Sequence, residues 1–229
     1  MKTENLVLYP SSSGKFDSKS TKLWFENCFV PLTGGKKSLL MLDSFGCHKK
    51  QKSSSALEHV FIEIIPPNTT SLIQPCDVYF FRQFKILYRK LVDCARVLKL
   101  TGQTIESPHL RSFHIKCVSH AHSQFMAAIF RPMIKGAFNL SGFGLPEGEL
   151  IEKFDRANAI LFRFTSHICE EEHDETNEVS IGTFIRCAHC RKNLCFNCFL
   201  KENSHLHLPI DLEHSLLDYY GLGLVKTKG

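Results

Sequence analysis

The sequence predicts an α/β fold followed by a small zinc-binding module. Two short apolar runs, 38–42 and 60–65, have the composition of β-strands, and a longer stretch, 78–100, has apolar residues at helical spacing. Four cysteines lie close together in the last quarter of the chain. The length of 229 residues and the hydrophobic share of 43 % allow a well-buried core, which excludes a disordered or fibrous protein.

Composition also limits the compartment and the partners. Every apolar run is well short of the ~20 residues that a membrane-spanning helix needs, and the N-terminus has no secretory signal pattern, so we expect an intracellular protein without a membrane partner. Most of the ten cysteines are scattered singly, which is not a disulfide framework and favours a reducing compartment. The net charge of +5 is compatible with a polyanionic partner.

The first elements follow a serine-rich start. Residues 1–20 lack apolar periodicity, which predicts a flexible arm. A short amphipathic helix is expected over 20–31, with Ser20 or Thr21 as its N-cap. A glycine pair then turns the chain into the first strand, 38–42, whose continuous apolar character is typical of a strand buried on both faces.

A second strand and a long helix come next. The β-branched run 60–65 ends at two prolines, which cannot continue a β-ladder. The helix predicted over 78–100 has one apolar and one basic face. Its apolar stripe consists of Phe80, Phe84, Leu87, Leu91, Ala95 and Leu98. Its basic face, which is suited to DNA phosphates, consists of Arg82, Lys85, Arg89 and Arg96.

The rest of the chain contains further helical patterns and an acidic stretch. Helices are predicted over 107–119, 121–135 and 149–163. The like charges at 170–175 indicate a solvated linker. The predicted division is a flexible arm at 1–20, a core at 21–165, an acidic linker at 166–182 and a Cys/His tail at 183–229.

Two aspartates lie where predicted elements end or begin. Asp43 directly follows the first strand, and Asp77 directly precedes the long helix. Carboxylates that converge from different elements are the ligands with which Mg²⁺ or Mn²⁺ supports phosphodiester cleavage. The alternative is that Asp43 is a turn residue and Asp77 an ordinary helix N-cap.

The sequence around these aspartates resembles DDE-superfamily transposases of the mariner, Tigger and pogo type. The run LLMLDSFGCH is similar to the motif in which an apolar strand ends in Asp with a His shortly after, here Asp43 and His48. The run PPNTTSLIQPCD is similar to the later motif, which ends at Asp77. The resemblance covers about residues 10–165. It implies a ribonuclease-H-like mixed sheet flanked by helices, with a triad of acids that binds two divalent ions and cuts and rejoins DNA.

The chain departs from this family in its first acid. In the family that acid lies on an opening strand, and neither Glu4 nor Asp17 follows an apolar strand pattern. We therefore expect a core that is incomplete at its N-terminus, with Asp43 and Asp77 as catalytic metal ligands. They need a third acid from an upstream segment or from a partner chain, which includes a homodimer. The resemblance implies a transposase-derived DNA-binding protein in the nucleus. The alternative is a catalytically inactive, zinc-stabilised protein-interaction module.

The Cys/His tail is the strongest metal signal. Two C-x2-C pairs follow each other closely, and thiolates and imidazoles are the ligands that zinc prefers. The sequence leaves open which four residues bind the ion. The candidate ligands are Cys187, Cys190, Cys195, Cys198, His205 and His207.

Overall fold

The computed structural model shows two compact units. The described residues are 5–10, 14, 16–49, 58–103, 105–144, 154–173, 182–200 and 205. The helical unit comprises Met1–Leu6, Phe81–Met133 and Lys153–Pro209, and the strand unit comprises Val7–Phe80, Ile134–Glu152 and Ile210–Gly229. Helices and strands occur together, so the predicted α/β class is confirmed.

The strand unit opens with a helix that starts earlier than predicted. Helix α1 spans Ser18–Trp24, and its N-cap is Asp17, whose Oδ1 accepts the Ser20 backbone N–H at 2.7 Å. The prediction of Ser20 or Thr21 as the cap is therefore wrong. A π-helical turn, Phe25–Phe29, and helix α2, Val30–Thr33, continue the segment. Gly34 ends it in the left-handed conformation at φ 55°, which glycine adopts without steric cost.

Two parallel strands form the sheet of the strand unit. Strand β1, Ser38–Leu42, pairs with β2, Val60–Ile64, so that the carboxyl ends of both strands lie at the same edge. Helix α3, Gly46–Lys49, follows β1. Both predicted strands are confirmed, but the prediction that the first is buried on both faces is wrong, because Leu39 of β1 is 58 % exposed. The larger ribonuclease-H-like sheet implied by the family resemblance stays a prediction, because the sheet described here has two strands.

The chain then passes through short helical turns into the longest helix. Helix α4, Thr70–Ile73, is followed by a π-helical turn, Cys76–Phe80. Helix α5, Phe81–Leu100, belongs to the helical unit and packs against α6, Arg111–Phe125. The buried residues of α5 are Gln83, Leu87, Leu91, Val92 and Ala95. Gln83 is buried because its Oε1 accepts the Ala157 backbone N–H at 3.2 Å.

Helix α6 continues past the predicted end at residue 119. The sequence predicted that one helix ends at residue 119 and another begins at residue 121. His120 and Ala121 are fully buried in α6, and this burial stabilises a continuous helix at these positions. A 3-10 turn, Ala128–Phe130, then leads into helix α7, Arg131–Leu140. No helix among the described residues is long and apolar enough to cross a membrane.

The last part of the helical unit is a hairpin followed by a short helix. Helix α8 spans Ala157–Leu161, and the rest of the predicted 149–163 helix lies partly outside the described residues. Strands β3, Ile185–Arg186, and β4, Asn193–Leu194, are antiparallel. Helix α9, Phe196–Leu200, packs against α5 and α6. The buried side chains in this region include Ile185, Leu194, Phe196, Phe199 and Leu200.

Candidate metal and nucleic-acid sites

Asp43 lies at the carboxyl end of β1, directly after Leu42. Its Oδ1 accepts the Phe45 backbone N–H at 3.1 Å and lies 2.6 Å from Nδ1 of His48. Because a carboxylate only accepts hydrogen bonds, this contact requires a proton on that nitrogen. Both contacts use Oδ1, and the Asp43 side chain is 38 % exposed. Asp43 thus makes the local turn and still presents a hard oxygen to solvent, which suits a divalent cation.

Asp77 lies inside the helical turn Cys76–Phe80 and is exposed. Its backbone N–H donates to the Gln74 carbonyl at 3.0 Å, so the turn begins before Asp77. Within the described residues, the clusters of three or more metal-ligating side chains do not include Asp43 or Asp77. The assignment of the two aspartates as catalytic metal ligands therefore stays a prediction.

The basic face of α5 is exposed as a narrow stripe. Arg82, Lys85, Arg89 and Arg96 are all exposed, and we call them the basic stripe. At about 100° and 1.5 Å per residue, the four Cα atoms lie within an arc of about 60° and a length of about 21 Å. Lys85 Nζ lies 5.9 Å from the centroid of the Phe81 ring, and Arg96 donates to Asp93 at 3.1 Å. The stripe thus presents positive charge along one line of the helix.

The Cys/His residues form two separate clusters in the helical unit. In each, one ligand atom from every residue lies within 4.8 Å of the others. The first cluster consists of Cys169, His173, Cys195 and Cys198. The second cluster consists of Cys187, Cys190 and His205. His207 lies outside the described residues.

Backbone geometry positions the first cluster. Cys195 and Cys198 flank the start of α9, and Cys169 is held beside them through Asn193 of β4. The backbone N–H of Asn193 donates to Glu170 at 2.7 Å, and the Glu170 N–H donates to the Asn193 carbonyl at 2.8 Å. The Cys195 N–H then donates to Cys169 Sγ at 3.2 Å, and the Cys198 N–H to Cys195 Sγ at 3.4 Å. These N–H groups stabilise negative charge on the sulfurs.

The β3–β4 turn positions the second cluster. Cys187 ends the first arm of the hairpin, and its carbonyl accepts the Arg191 N–H at 3.0 Å. Arg191 has φ 66°, which is uncommon for a residue with a side chain and closes the turn tightly after Cys190. His205 Nδ1 lies 3.7 Å from Cys190 Sγ, while Nε2 of the same ring lies 3.2 Å from Glu171 Oε1.

A buried amide from α6 completes the surroundings of the second cluster. Gln124 is fully buried, and its Nε2 donates to Cys187 Sγ and to the His205 carbonyl, each at 3.5 Å. Its Oε1 accepts the Ala188 backbone N–H at 2.7 Å. Helix α6 is therefore joined directly to the Cys187 turn.

The thiol pKa values reflect these contacts. A hydrogen bond with Cys190 lowers the pKa of Cys187 far below its ordinary value, and the same bond raises the pKa of Cys190. Burial raises the pKa of Cys195 and of Cys198, so these thiols keep their protons until a cation displaces them.

The structure separates the candidate ligands predicted from the sequence into two clusters and adds two further candidates. Cys187 and Cys190 join His205, whereas Cys195 and Cys198 lie in the other cluster. Sequence reasoning missed Cys169 and His173, because the glutamates between them suggested a solvated linker. The signal that points to this pair is its C-x3-H spacing, which is short enough for both residues to reach one ion.

Comparison with known proteins identifies the family. No solved structure matches the chain. The family described as DDE superfamily endonuclease matches residues 2–131, which is more than half of the chain and includes β1, β2, Asp43, Asp77 and the basic stripe. The chain therefore belongs to the DDE superfamily endonucleases.

Proposed function

We propose that this chain is a transposase-derived DNA-binding protein that acts in the nucleus. The observation that carries the proposal is the family match over residues 2–131, since it spans both aspartates and the basic stripe. The family implies a function on nucleic acid. Beyond this family-level function, we propose DNA binding, a divalent-metal site and a nuclear location.

The basic stripe is the surface that we assign to DNA. Its four cations are exposed on one line of α5, which suits successive phosphates along a DNA backbone. Such contacts position the DNA without reading its sequence. We therefore expect binding that depends steeply on salt and weakly on base sequence.

Asp43 and Asp77 are the residues that we assign to Mg²⁺ or Mn²⁺. Their carboxylates are hard oxygen donors with exposure to solvent, and His48 fixes the orientation of Asp43 through the 2.6 Å contact. A bound divalent ion would polarise a phosphodiester and activate water. Cleavage in this family uses three acids, so we propose that catalysis needs a third acid besides Asp43 and Asp77, from a further segment or from a partner chain.

The DNA proposal is tested by a salt titration. Fluorescence anisotropy with a labelled random-sequence duplex measures the affinity of wild type and of Arg82→Gln/Arg89→Gln at several salt concentrations. Loss of two phosphate contacts should reduce the slope of log affinity against log salt by about 1.8. The matched control, Lys36→Gln/Lys37→Gln, removes two exposed charges from the Gly34 turn. Equal slopes for all three proteins would contradict the assignment to α5.

The metal proposal is tested by Mn²⁺ binding. Electron paramagnetic resonance on zinc-loaded protein counts free Mn²⁺ during a titration. Asp43→Asn and Asp77→Asn should each weaken binding at least ~10-fold, because each removes a charged ligand. Asp155→Asn, which replaces an exposed aspartate of the helical unit, is the control. Unchanged Mn²⁺ affinity in both test variants would exclude this site.

A zinc-stabilised protein-interaction module is the second candidate. The observation that favours it is the pair of Cys/His clusters, since sites made of several protein ligands usually support structure. Such a module would bind a protein through apolar contacts, with little response to salt. A chain that fails to bind the duplex at low salt would favour this alternative.

A further inference from the structure

The potential zinc ligands alternate along the chain between the two clusters. Cys169 and His173 belong to the first, Cys187 and Cys190 to the second, Cys195 and Cys198 again to the first, and His205 again to the second. We infer that this segment binds two zinc ions in an interleaved order. The ligands of one ion are Cys169, His173, Cys195 and Cys198, and those of the other are Cys187, Cys190 and His205. The inference does not depend on DNA binding or on Asp43 and Asp77.

The first cluster has the dimensions of a closed zinc site. With zinc–sulfur bonds of about 2.3 Å and zinc–nitrogen bonds of about 2.0–2.1 Å, two such ligands of one tetrahedral ion lie about 3.5 Å apart. The distance from Cys198 Sγ to His173 Nε2 is 3.6 Å. Three thiols and one imidazole satisfy the four positions of zinc, so this ion would be structural.

The second cluster has the dimensions and the surroundings of a zinc site. Cys190 Sγ lies 3.7 Å from His205 Nδ1, close to the same tetrahedral separation. The other ring nitrogen of His205 faces the Glu171 carboxylate at 3.2 Å, an arrangement that orients a zinc-bound imidazole. The three protein donors in the described part leave the fourth position to water or to a further donor.

The two clusters are also connected through one side chain. Glu171 lies in sequence between Cys169 and His173, both of the first cluster, yet its carboxylate contacts His205 of the second. Lys192 Nζ holds the same carboxylate oxygen at 2.9 Å. In the sequence, the ligands of each ion lie before and after ligands of the other ion, so each ion joins segments that the other ion also holds. Loss of one ion should therefore weaken the binding of the other.

Zinc stoichiometry of the full chain tests the inference. The protein is purified under reducing conditions with zinc, dialysed, and its metal content is measured by mass spectrometry. We expect two zinc ions per chain for wild type and for the control Cys28→Ser, whose thiol belongs to neither cluster. Cys190→Ser changes an exposed ligand, so the protein should fold and retain one ion, bound less tightly than in wild type.

A second variant separates the clusters. Cys198→Ser should remove the ion of the first cluster, and Co²⁺ absorption in the remaining protein should lose the intensity of the site with three thiolates. One zinc per wild-type chain, or two in Cys190→Ser, would overturn the interleaved arrangement. A disulfide in place of the metal, seen as a loss of two mass units in intact-protein mass spectrometry, would overturn it as well. If Cys198→Ser does not fold, the number of zinc ions per chain in wild type and in Cys190→Ser still tests the inference.

Discussion

Replacement of Gln124 by leucine tests whether a buried amide of α6 supports zinc binding as well as folding. Gln124 accepts the Ala188 N–H at 2.7 Å, and Ala188 is only 5 % exposed, so the substitution leaves a buried donor without its acceptor. An unsatisfied buried donor costs about 1–3 kcal/mol. The two bonds donated by Gln124 are long, at 3.5 Å, and add little to this cost. Without metal, we expect Gln124→Leu to lower the free energy of unfolding by about 2 kcal/mol.

Zinc should enlarge this effect. Loss of a partner around a metal ligand commonly lowers metal affinity by about 10–100-fold. A tenfold loss corresponds to about 1.4 kcal/mol, so in excess zinc the total effect of Gln124→Leu should be about 3.4 kcal/mol. Urea unfolding with zinc and with a chelator measures both values, and competition with a colorimetric zinc indicator measures the affinity directly.

Gln83→Leu is the matched control. Gln83 is 4 % exposed and accepts the Ala157 N–H at 3.2 Å, and it makes no hydrogen bond to a member of either cluster among those described. It should lower the free energy of unfolding by about 1–2 kcal/mol in zinc and in chelator alike. If Gln124→Leu behaves in the same way, with equal losses under both conditions and unchanged zinc affinity, the proposed support of the second cluster by α6 is refuted.

Three further substitutions test the fold. Leu87→Ala removes a side chain that is 1 % exposed and should lower the free energy of unfolding by about 2–5 kcal/mol in urea, whereas Leu100→Ala, at an 87 % exposed position, should change it little. Gly102→Ala, at φ 83°, should cost about 1 kcal/mol in the same assay, with Gly46→Ala as a control without positive φ. Burial lowers the pKa of His122, so the unfolded chain binds more protons below its ordinary pKa of about 6.5. Stability should therefore fall as the pH drops below that value, and His122→Gln should flatten the pH profile of unfolding relative to wild type; identical profiles would contradict the assignment.

Local sequence patterns predicted the helices and strands whose formation depends mainly on residues close together in sequence. The continuous apolar runs marked both strands of the parallel sheet, and the proline pair after residue 65 ended the second one close to its observed end at Ile64. The long helix was predicted from its apolar spacing. The sequence placed Phe80 and Phe84 in its buried stripe, whereas the structure buries Gln83, because a hydrogen bond from Ala157 compensates a polar group that periodicity counts as exposed.

The two Cys/His clusters depend on contacts between residues that are far apart in sequence, and local sequence patterns do not predict such contacts. The paired cysteines were visible because each pair is close in sequence. Their division between two clusters depends on the β3–β4 hairpin and on Asn193, which bring Cys169 next to Cys195 across 26 residues. His205 also lies close to Cys190 although 15 residues separate them in sequence. Asp43 and Asp77 stood out first because they lie where predicted elements end or begin, and the resemblance to the family added their role as metal ligands, which stays a prediction.

The contact between Gln124 and Ala188 limits where the chain can be truncated without disrupting the helical unit. The family match ends at residue 131, yet Phe196–Leu200 packs against α5 and α6, which lie inside the match. A truncated protein that stops at that family boundary would lose Phe199, whose ring packs against that of the buried His120, and would leave the Gln124 amide without its partners. Such a fragment should aggregate when expressed. The boundary of sequence similarity and the boundary of the folding unit are therefore different, and fragments for biochemical work should retain the Cys/His segment.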